Sequence, residues 1–127
     1  MKYLTFTVPC YNSESYMRRC VDSLLCFGKD AEIILIDDGS TDGTGEIADE
    51  YQNRFPDIVK TVHKENGGHG SGVNKGLEMA EGLYFKVVDS DDWLDPEACQ
   101  KLLFRIRELC GGGRYEFAEN IPDLFIC

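Results

Sequence analysis

The chain has 127 residues, 43% of them hydrophobic, and its 13 basic and 23 acidic side chains give a formal net charge of −10. This length corresponds to one domain, and the hydrophobic content excludes an intrinsically disordered chain. So acidic a surface repels phosphate backbones and anionic lipid, which disfavours nucleic-acid binding and direct membrane-surface binding. A small phosphorylated ligand remains compatible with this charge, because a local site can be positive or can recruit a metal ion.

The cysteine pattern and the N-terminus indicate the compartment. None of the six cysteines forms a C-x-x-C pair and only two histidines are present, so the sequence has no zinc pattern. Cys20 falls on an apolar helical stripe and Cys10 follows a strand, positions typical of reduced thiols, and we expect no disulfide framework. The chain shows no signal-peptide plan and no membrane-spanning apolar run. We expect a cytoplasmic protein without a transmembrane segment, or a membrane-peripheral one in its full-length form.

The hydrophobic pattern predicts strands that alternate with helices. Residues 3–8, ended by Pro9, and the nearly continuous apolar run 32–37 read as strands, the second buried on both faces. Two more strands are predicted at 58–63 and 83–88, and a last one begins at Asp123. The predicted helices run from Asn12 or Ser13 to Gly28, from the loop 38–44 to Pro56, from the glycine-rich stretch 67–72 to Gly82 with Val73, Leu77 and Ala80 inward, and from Asp95–Pro96 to Gly111.

This order predicts an α/β fold over the single domain 1–127, a Rossmann-like parallel sheet covered by helices on both faces. In such sheets the ligand lies beyond the carboxyl ends of the strands. Three strands end in polar sequences that converge on this edge, namely Val8–Asn12, Ile36–Ser40 and Val88–Trp93. The convergence predicts a ligand site.

The segment after the fourth strand concentrates negative charge. Asp89, Asp91 and Asp92 place three carboxylates within four residues, and a hard divalent cation such as Mg²⁺ or Mn²⁺ would relieve their repulsion. The alternative interpretation is an acidic loop that caps the helix at Asp95–Pro96, although a cap needs one carboxylate and not three. The register of a calcium-binding helix-loop-helix is missing.

Other candidates each allow two interpretations. Asp37–Asp38 suits a ligand contact or a cap of the next helix, and Tyr11 suits base stacking or packing. The stretch 67–72 fits neither the dinucleotide fingerprint nor the phosphate loop of nucleotide hydrolases, so it is either a flexible loop or an anion-facing helix start. His69 suits a phosphate contact or a solvated loop. Trp93 is more typical of an anchor than of a sugar platform.

Three blocks of this sequence together resemble family 2 of the glycosyltransferases: Val8–Asn12, Ile36–Thr44 and Asp89–Pro96. The resemblance covers residues 3 to about 110 in the same order and spacing. These enzymes have the A-type glycosyltransferase fold, use nucleotide-diphosphate sugars, invert the transferred centre and usually need a divalent metal.

The resemblance implies specific roles. Pro9 and Tyr11 would line the base pocket, and Asp38 would bind the base edge at a uracil ring nitrogen. Asp89 would lie near the ribose or sugar, and Asp91 would bind a metal ion that bridges the phosphates and stabilises the leaving diphosphate. The expected nucleotide-sugar-binding set is Pro9, Tyr11, Asn12, Asp38, Gly39, Gly68, His69, Asn74, Asp89 and Ser90, with Asp91 and Asp89 as ligands of Mg²⁺ or Mn²⁺.

Two departures from the family stand out. The family often has A-R-N where this chain has Gly72–Asn74, so Val73 replaces the common arginine, and His69 or Lys75 is a candidate substitute. The family's general base lies in the acceptor half, beyond the end of this sequence. We therefore assign none of the late carboxylates, Glu116, Glu119 and Asp123, as that base.

The resemblance implies sugar transfer from a uridine-diphosphate donor to a saccharide or lipid-linked acceptor, as in polysaccharide or cell-wall biosynthesis. Two alternatives stay open: a non-catalytic nucleotide-sugar-binding fragment without the general base, and a truncated product without a stable fold. If residues 124–126 form an incomplete strand, the exposed sheet edge is expected to cause dimerisation or aggregation.

Overall fold

A computed structural model describes residues 2–111 of the chain. Its centre is a four-stranded sheet in the order β3-β2-β1-β4, and every strand pair is parallel. The strands are β1 (Leu4–Cys10), β2 (Ala31–Asp38), β3 (Val59–Lys64) and β4 (Tyr84–Val87). The predicted α/β fold with a parallel sheet is confirmed.

Helices cover both faces of this sheet. They are α1 (Met17–Leu24), continued by a 3-10 segment (Leu25–Asp30), α2 (Thr44–Arg54), α3 (His69–Met79) and α4 (Pro96–Gly111). Successive strand residues point to opposite faces. Phe6 and Leu35 therefore enter the main core with residues of α1, α2 and α4, whereas Thr7 and Ile36 lie beneath α3. Because both faces are covered, β1 and β2 are buried along their whole length.

Helix α3 packs with a different face than the sequence predicted. Val73, Leu77 and Ala80 were expected inward, but the buried positions are Gly72 and Gly76, and Leu77 is 57% exposed. A Cβ at Gly76 would collide with the side chain of Thr7. The helix backbone thus lies directly on the sheet, and glycine is the residue that allows so close an approach.

Strand β1 continues through Pro9, where the sequence predicted its end. Pro9 pairs with Ile36 of β2 although it has no N–H to donate. Thr7 accepts a hydrogen bond from Val88 N on the β4 side, so by alternation the missing N–H of Pro9 also faces that side. Since β4 ends at Val87, proline removes no ladder bond there.

Helix α1 begins later than predicted. Neither Asn12 nor Ser13 caps it; the first helical residue is Met17, whose N–H donates to Ser13 O. The side chain of Asn12 contacts Thr41 and that of Ser13 contacts Ser90, so neither oxygen is free to cap. The start predicted for α4 is confirmed, because Asp95 Oδ2 accepts from Ala98 N.

The expectation of no disulfide was wrong. Cys26 in the 3-10 segment and Cys99 in α4 form a disulfide across a sequence separation of 73 residues, with their Cα atoms 6.7 Å apart. Only the packing of α4 against the 3-10 segment brings them together, and spacing along the sequence does not reveal it. Cys10 and Cys20 are free and buried as predicted, and burial raises the pKa of Cys10 to about 12.

No helix within residues 2–111 is long and apolar enough to cross a membrane. The strand predicted from Asp123, and with it the predicted dimerisation edge, lies outside the residues that the structure describes.

Candidate functional site

The loops at the carboxyl ends of the four parallel strands form one continuous surface. A cavity of about 340 Å³ opens between the loops that follow β1, β2 and β3. Its lining residues are Pro9, Cys10, Tyr11, Asp38, Asn66, Gly68 and His69. The structure thus brings together Pro9, Tyr11, Asp38, Gly68 and His69, which the sequence placed in one site.

Asp38 is the charged centre of this cavity. Its Oδ1 accepts from Lys64 Nζ at 2.7 Å and from Gly67 N at 2.9 Å, and its Oδ2 accepts from Gly68 N at 2.9 Å. Burial raises the pKa of Asp38, but these hydrogen bonds and the charge of Lys64 outweigh burial and hold it below its ordinary value. The carboxylate is therefore ionised, and Oδ2 retains a lone pair for a donor from a ligand.

The other cavity walls suit a flat heterocycle. Tyr11 is 51% exposed at the cavity mouth, an unusual position for an aromatic ring that only packs. Asn66 closes the opposite side and donates from Nδ2 to Asp38 O. Gly39 adopts a left-handed φ of 71°, and a Cβ there would lie 2.7 Å from the backbone N of Asn66. Glycine at position 39 thus allows the loops after β2 and β3 to meet.

Asn12 connects two loops. It has a left-handed φ of 49°, its Oδ1 accepts from Thr41 N at 2.8 Å, and its N–H donates to Ser40 Oγ at 3.0 Å. These contacts hold the loop after β1 against the loop after β2, which carries Asp38. The amide of Asn12 is thus engaged within the protein, outside the cavity lining.

The acidic loop, residues 89–92, follows β4. The carboxylate oxygens of Asp89, Asp91 and Asp92 lie within 4.8 Å of one another. Asp89 and Asp91 are exposed, and Asp92 is half-buried. Three oxygen donors at this separation fit a hard divalent cation, which would offset their mutual repulsion. His69 Nε2 lies 3.0 Å from Asp89 Oδ1 and connects this loop to the cavity.

Besides Asn12 and the exposed aspartates of the acidic loop, three more predicted residues lie outside the cavity lining. Ser90 is the buried residue of the acidic loop, Asn74 is exposed on α3, and Gly39 contacts Asn66 behind the cavity wall. Trp93 packs under the guanidinium of Arg19, whose Cζ is 3.4 Å from the ring centroid. This contact agrees with the interpretation of Trp93 as an anchor.

Sequence reasoning missed four residues of this surface: Cys10, His63, Lys64 and Asn66. The last three lie at or just beyond the end of β3. The rule that ligands gather at strand ends could have found them, had it been applied to the third strand as it was to the other three. His63 bridges Asp37 Oδ2 and Asp49 Oδ1, at 2.8 Å each, and so supports the strand that carries Asp38.

Comparisons with known proteins agree with this geometry. The family described as Glycosyl transferase family 2 matches residues 5–120. EpsH of Bacillus subtilis (strain 168) is 42% identical over 104 residues, which are 79% of this chain and 29% of EpsH. The glycosyltransferase GlyA of Streptococcus pneumoniae serotype 4 is 37% identical over 122 residues, 92% of this chain and 17% of GlyA.

A solved structure extends the likeness to three dimensions. The crystal structure of S. aureus TarS 1-349 in complex with UDP-GlcNAc superposes with a TM-score of 0.72 at 36% identity, covering 85% of this chain and 32% of that one. The sheet order, the strand-end site and these matches define an A-type glycosyltransferase fold. The chain belongs to glycosyltransferase family 2. It spans less than a third of the length of these three relatives.

Proposed function

We propose that this chain is the donor-binding portion of a metal-dependent, inverting glycosyltransferase that takes its sugar from a uridine-diphosphate donor. One observation carries the proposal: an ionised, buried Asp38 faces a cavity beside an exposed Tyr11, and His69 joins that cavity to the acidic loop. The arrangement offers a place for a base, for a ribose and for a diphosphate in that order.

The cavity chemistry fits uracil. Asp38 Oδ2 is an acceptor with spare capacity, which matches the imide N–H of the uracil ring, and Tyr11 offers a face for stacking. The complex of TarS 1-349 holds UDP-GlcNAc, a donor of this class. Because guanine would also offer donors to Asp38, it is this complex that leads us to favour uridine over guanosine.

The acidic loop would hold Mg²⁺ or Mn²⁺ through Asp91 and Asp89. A divalent cation bound there would offset the charge that develops on the leaving diphosphate. His69, which contacts Asp89, is the candidate for the contact that the family's common arginine makes, since Val73 occupies that arginine's place.

Sugar transfer belongs to the whole protein, whose acceptor is a saccharide or a lipid-linked saccharide. The general base expected from the family is not among the residues assigned here. The alternative, a non-catalytic nucleotide-sugar-binding fragment, also predicts that this chain alone binds the donor. A binding experiment therefore tests donor recognition, which both hypotheses share.

The test is calorimetric titration of UDP and of GDP into the chain with Mn²⁺ present. Wild type is expected to bind UDP more tightly than GDP, and Asp38→Asn to lose at least about tenfold in UDP affinity, the usual effect of removing a charged hydrogen bond. Asp57→Asn, at an exposed carboxylate that pairs with Lys29, is the matched control and should bind like wild type. A folded wild-type chain that binds neither nucleotide, or an Asp38→Asn variant that binds UDP normally, would contradict the proposal.

A further inference from the structure

Ser13 lies where three of the ligand-bearing loops meet. Its side chain is fully buried, at 0% exposure. Its Oγ accepts from Tyr11 N at 3.2 Å and lies 2.7 Å from Ser90 Oγ, and its backbone N donates to Thr44 Oγ1 at 2.7 Å. One residue thus connects the wall of the base cavity, the acidic loop and the first turn of α2.

Ser90 lies between Asp89 and Asp91, and its side chain is buried in the protein. It is 9% exposed, whereas Asp89 and Asp91 on either side of it are exposed. Ser90 and Asp91 occupy a turn that a hydrogen bond from Asp92 N to Asp89 O closes at 2.9 Å, and with Ser90 turned inward both of its neighbours lie at the surface of this turn. The contact with Ser13 fixes this orientation, because a buried hydroxyl that loses its partner is costly.

Other contacts hold the acidic loop on α1 without reaching the base cavity. Cys20 Sγ donates to Asp89 O at 3.6 Å, and Leu94 N donates to Ser23 Oγ at 2.9 Å. Each ties the loop to one helix only. The hydroxyl pair of Ser13 and Ser90 differs, since Ser13 is also bound to the backbone of Tyr11.

We propose that Ser13, acting through Ser90, is a positioning residue that couples the cation-binding loop to the base cavity. The inference rests on the proposed function. Ser13 touches neither nucleotide nor cation; it sets the distance between the carboxylates of the acidic loop and the wall that Tyr11 provides. A cation held by that loop would then be placed to stabilise the diphosphate of a nucleotide in the cavity.

The expected consequence is a change in how strongly Mn²⁺ increases the affinity for UDP. When only the Ser90 hydroxyl is removed, Ser13 Oγ still accepts from Tyr11 N, so the cavity stays intact and UDP binds as before in the absence of metal. The additional affinity that Mn²⁺ confers falls, because the loop no longer holds the cation in register with the diphosphate. A purely structural role would instead lower both affinities together or only the thermal stability.

The experiment titrates UDP into the 127-residue chain with and without Mn²⁺ and compares the ratio of the two affinities among variants. Ser90→Ala is expected to lower the ratio about fivefold, the effect of one buried hydrogen bond, and to leave metal-free UDP affinity within about twofold. Ser13→Ala should lower the ratio similarly, and the double variant should be no worse than either single one, as coupled partners require. Thermal unfolding verifies that each variant is folded.

Thr7→Val is the matched control. It removes a buried hydroxyl that has no hydrogen-bond partner among the described residues, on the α3 face of β1 and away from the loops, and should leave the ratio unchanged. A wild-type ratio preserved in Ser90→Ala, or effects of the two serines that simply add, would overturn the inference while wild-type UDP binding upholds the proposed function. A folded wild type that does not bind UDP would overturn both.

Discussion

Acidic side chains lie at both ends of the sheet, and they differ in burial and in partners. At the amino end, Glu32 of β2 is 1% exposed beneath the end of α3, surrounded by partners. At the carboxyl end, Asp89 and Asp91 stand exposed beside the half-buried Asp92.

Glu32 has its partners within the protein. Its Oε2 accepts from Thr5 Oγ1 and from Glu81 N, and Lys60 Nζ lies 3.0 Å from its Oε1. Burial raises the pKa of Glu32, but these hydrogen bonds and Lys60 outweigh it and hold the pKa below its ordinary value. Two donors at Oε2 and the ammonium group of Lys60 beside Oε1 thus pair this carboxylate within the protein.

The acidic loop shows the opposite balance. Among the ion pairs within residues 2–111, only His69 reaches this loop, through Asp89. Three carboxylates lie within 4.8 Å of one another, and no lysine or arginine among residues 2–111 forms an ion pair with them. We infer that the carboxylate paired within the protein serves stability, whereas the exposed group of three is available to the proposed cation.

The largest effect is expected at the amino end of the sheet, where Glu32 is buried. Glu32→Ala removes the acceptor for Thr5 and Glu81 and leaves Lys60 without its buried partner, so we expect a loss of about 3 kcal/mol in the free energy of unfolding, measured by urea denaturation. The contribution of Glu32 is present above its unfolded-state pKa and is lost as the pH falls through its lower folded-state pKa, so wild type and variant should converge in acid. Equal stability of the two at neutral pH would show that Glu32 is not held as described.

A smaller effect on stability is expected at a carboxylate that lies beside the site but has a partner within the protein. Asp37 adjoins the site yet is paired, because His63 lies between it and Asp49. Hydrogen bonds to Asp37 and then to Asp49 raise the pKa of His63. Its stabilising effect is therefore complete below the unfolded-state pKa and is lost as the pH rises through the folded-state pKa.

We expect His63→Gln to cost about 0.5 kcal/mol of unfolding free energy at pH 6, the range of a half-exposed ion pair, and less at pH 9. Urea denaturation at the two pH values checks this. Lys29→Gln, at an exposed ion pair that contains no histidine, is the control and should have the same effect at both pH values. A deficit in His63→Gln that grows with pH would contradict the assigned pairing.

Much of this organisation could be predicted from the sequence. The apolar run of β2 and the polar residues at three strand ends were sufficient for the sheet and for the neighbourhood of Tyr11 and Asp38. These features are local: strand pattern and strand polarity determine where the ends meet. His69 was predicted from the glycine-rich stretch and the family resemblance instead.

What escaped prediction depends on contacts between distant segments. The glycine face of α3 was missed because hydrophobic periodicity ranks Val73 and Leu77 above Gly72 and Gly76, although only glycine permits the close approach to β1. The disulfide between Cys26 and Cys99 and the hydroxyl pair of Ser13 and Ser90 join residues more than seventy positions apart. Spacing along the chain carries no sign of either.

The most direct test of the central claim is a Mn²⁺ titration followed by electron paramagnetic resonance, with UDP present. Asp91→Asn is expected to bind Mn²⁺ about tenfold more weakly than wild type, or weaker still, because it loses a charged ligand. The control Asp57→Asn removes an exposed carboxylate that pairs with Lys29, and it should bind Mn²⁺ as wild type does. Mn²⁺ binding by Asp91→Asn as tight as that of wild type would contradict the assignment of the acidic loop as the cation site.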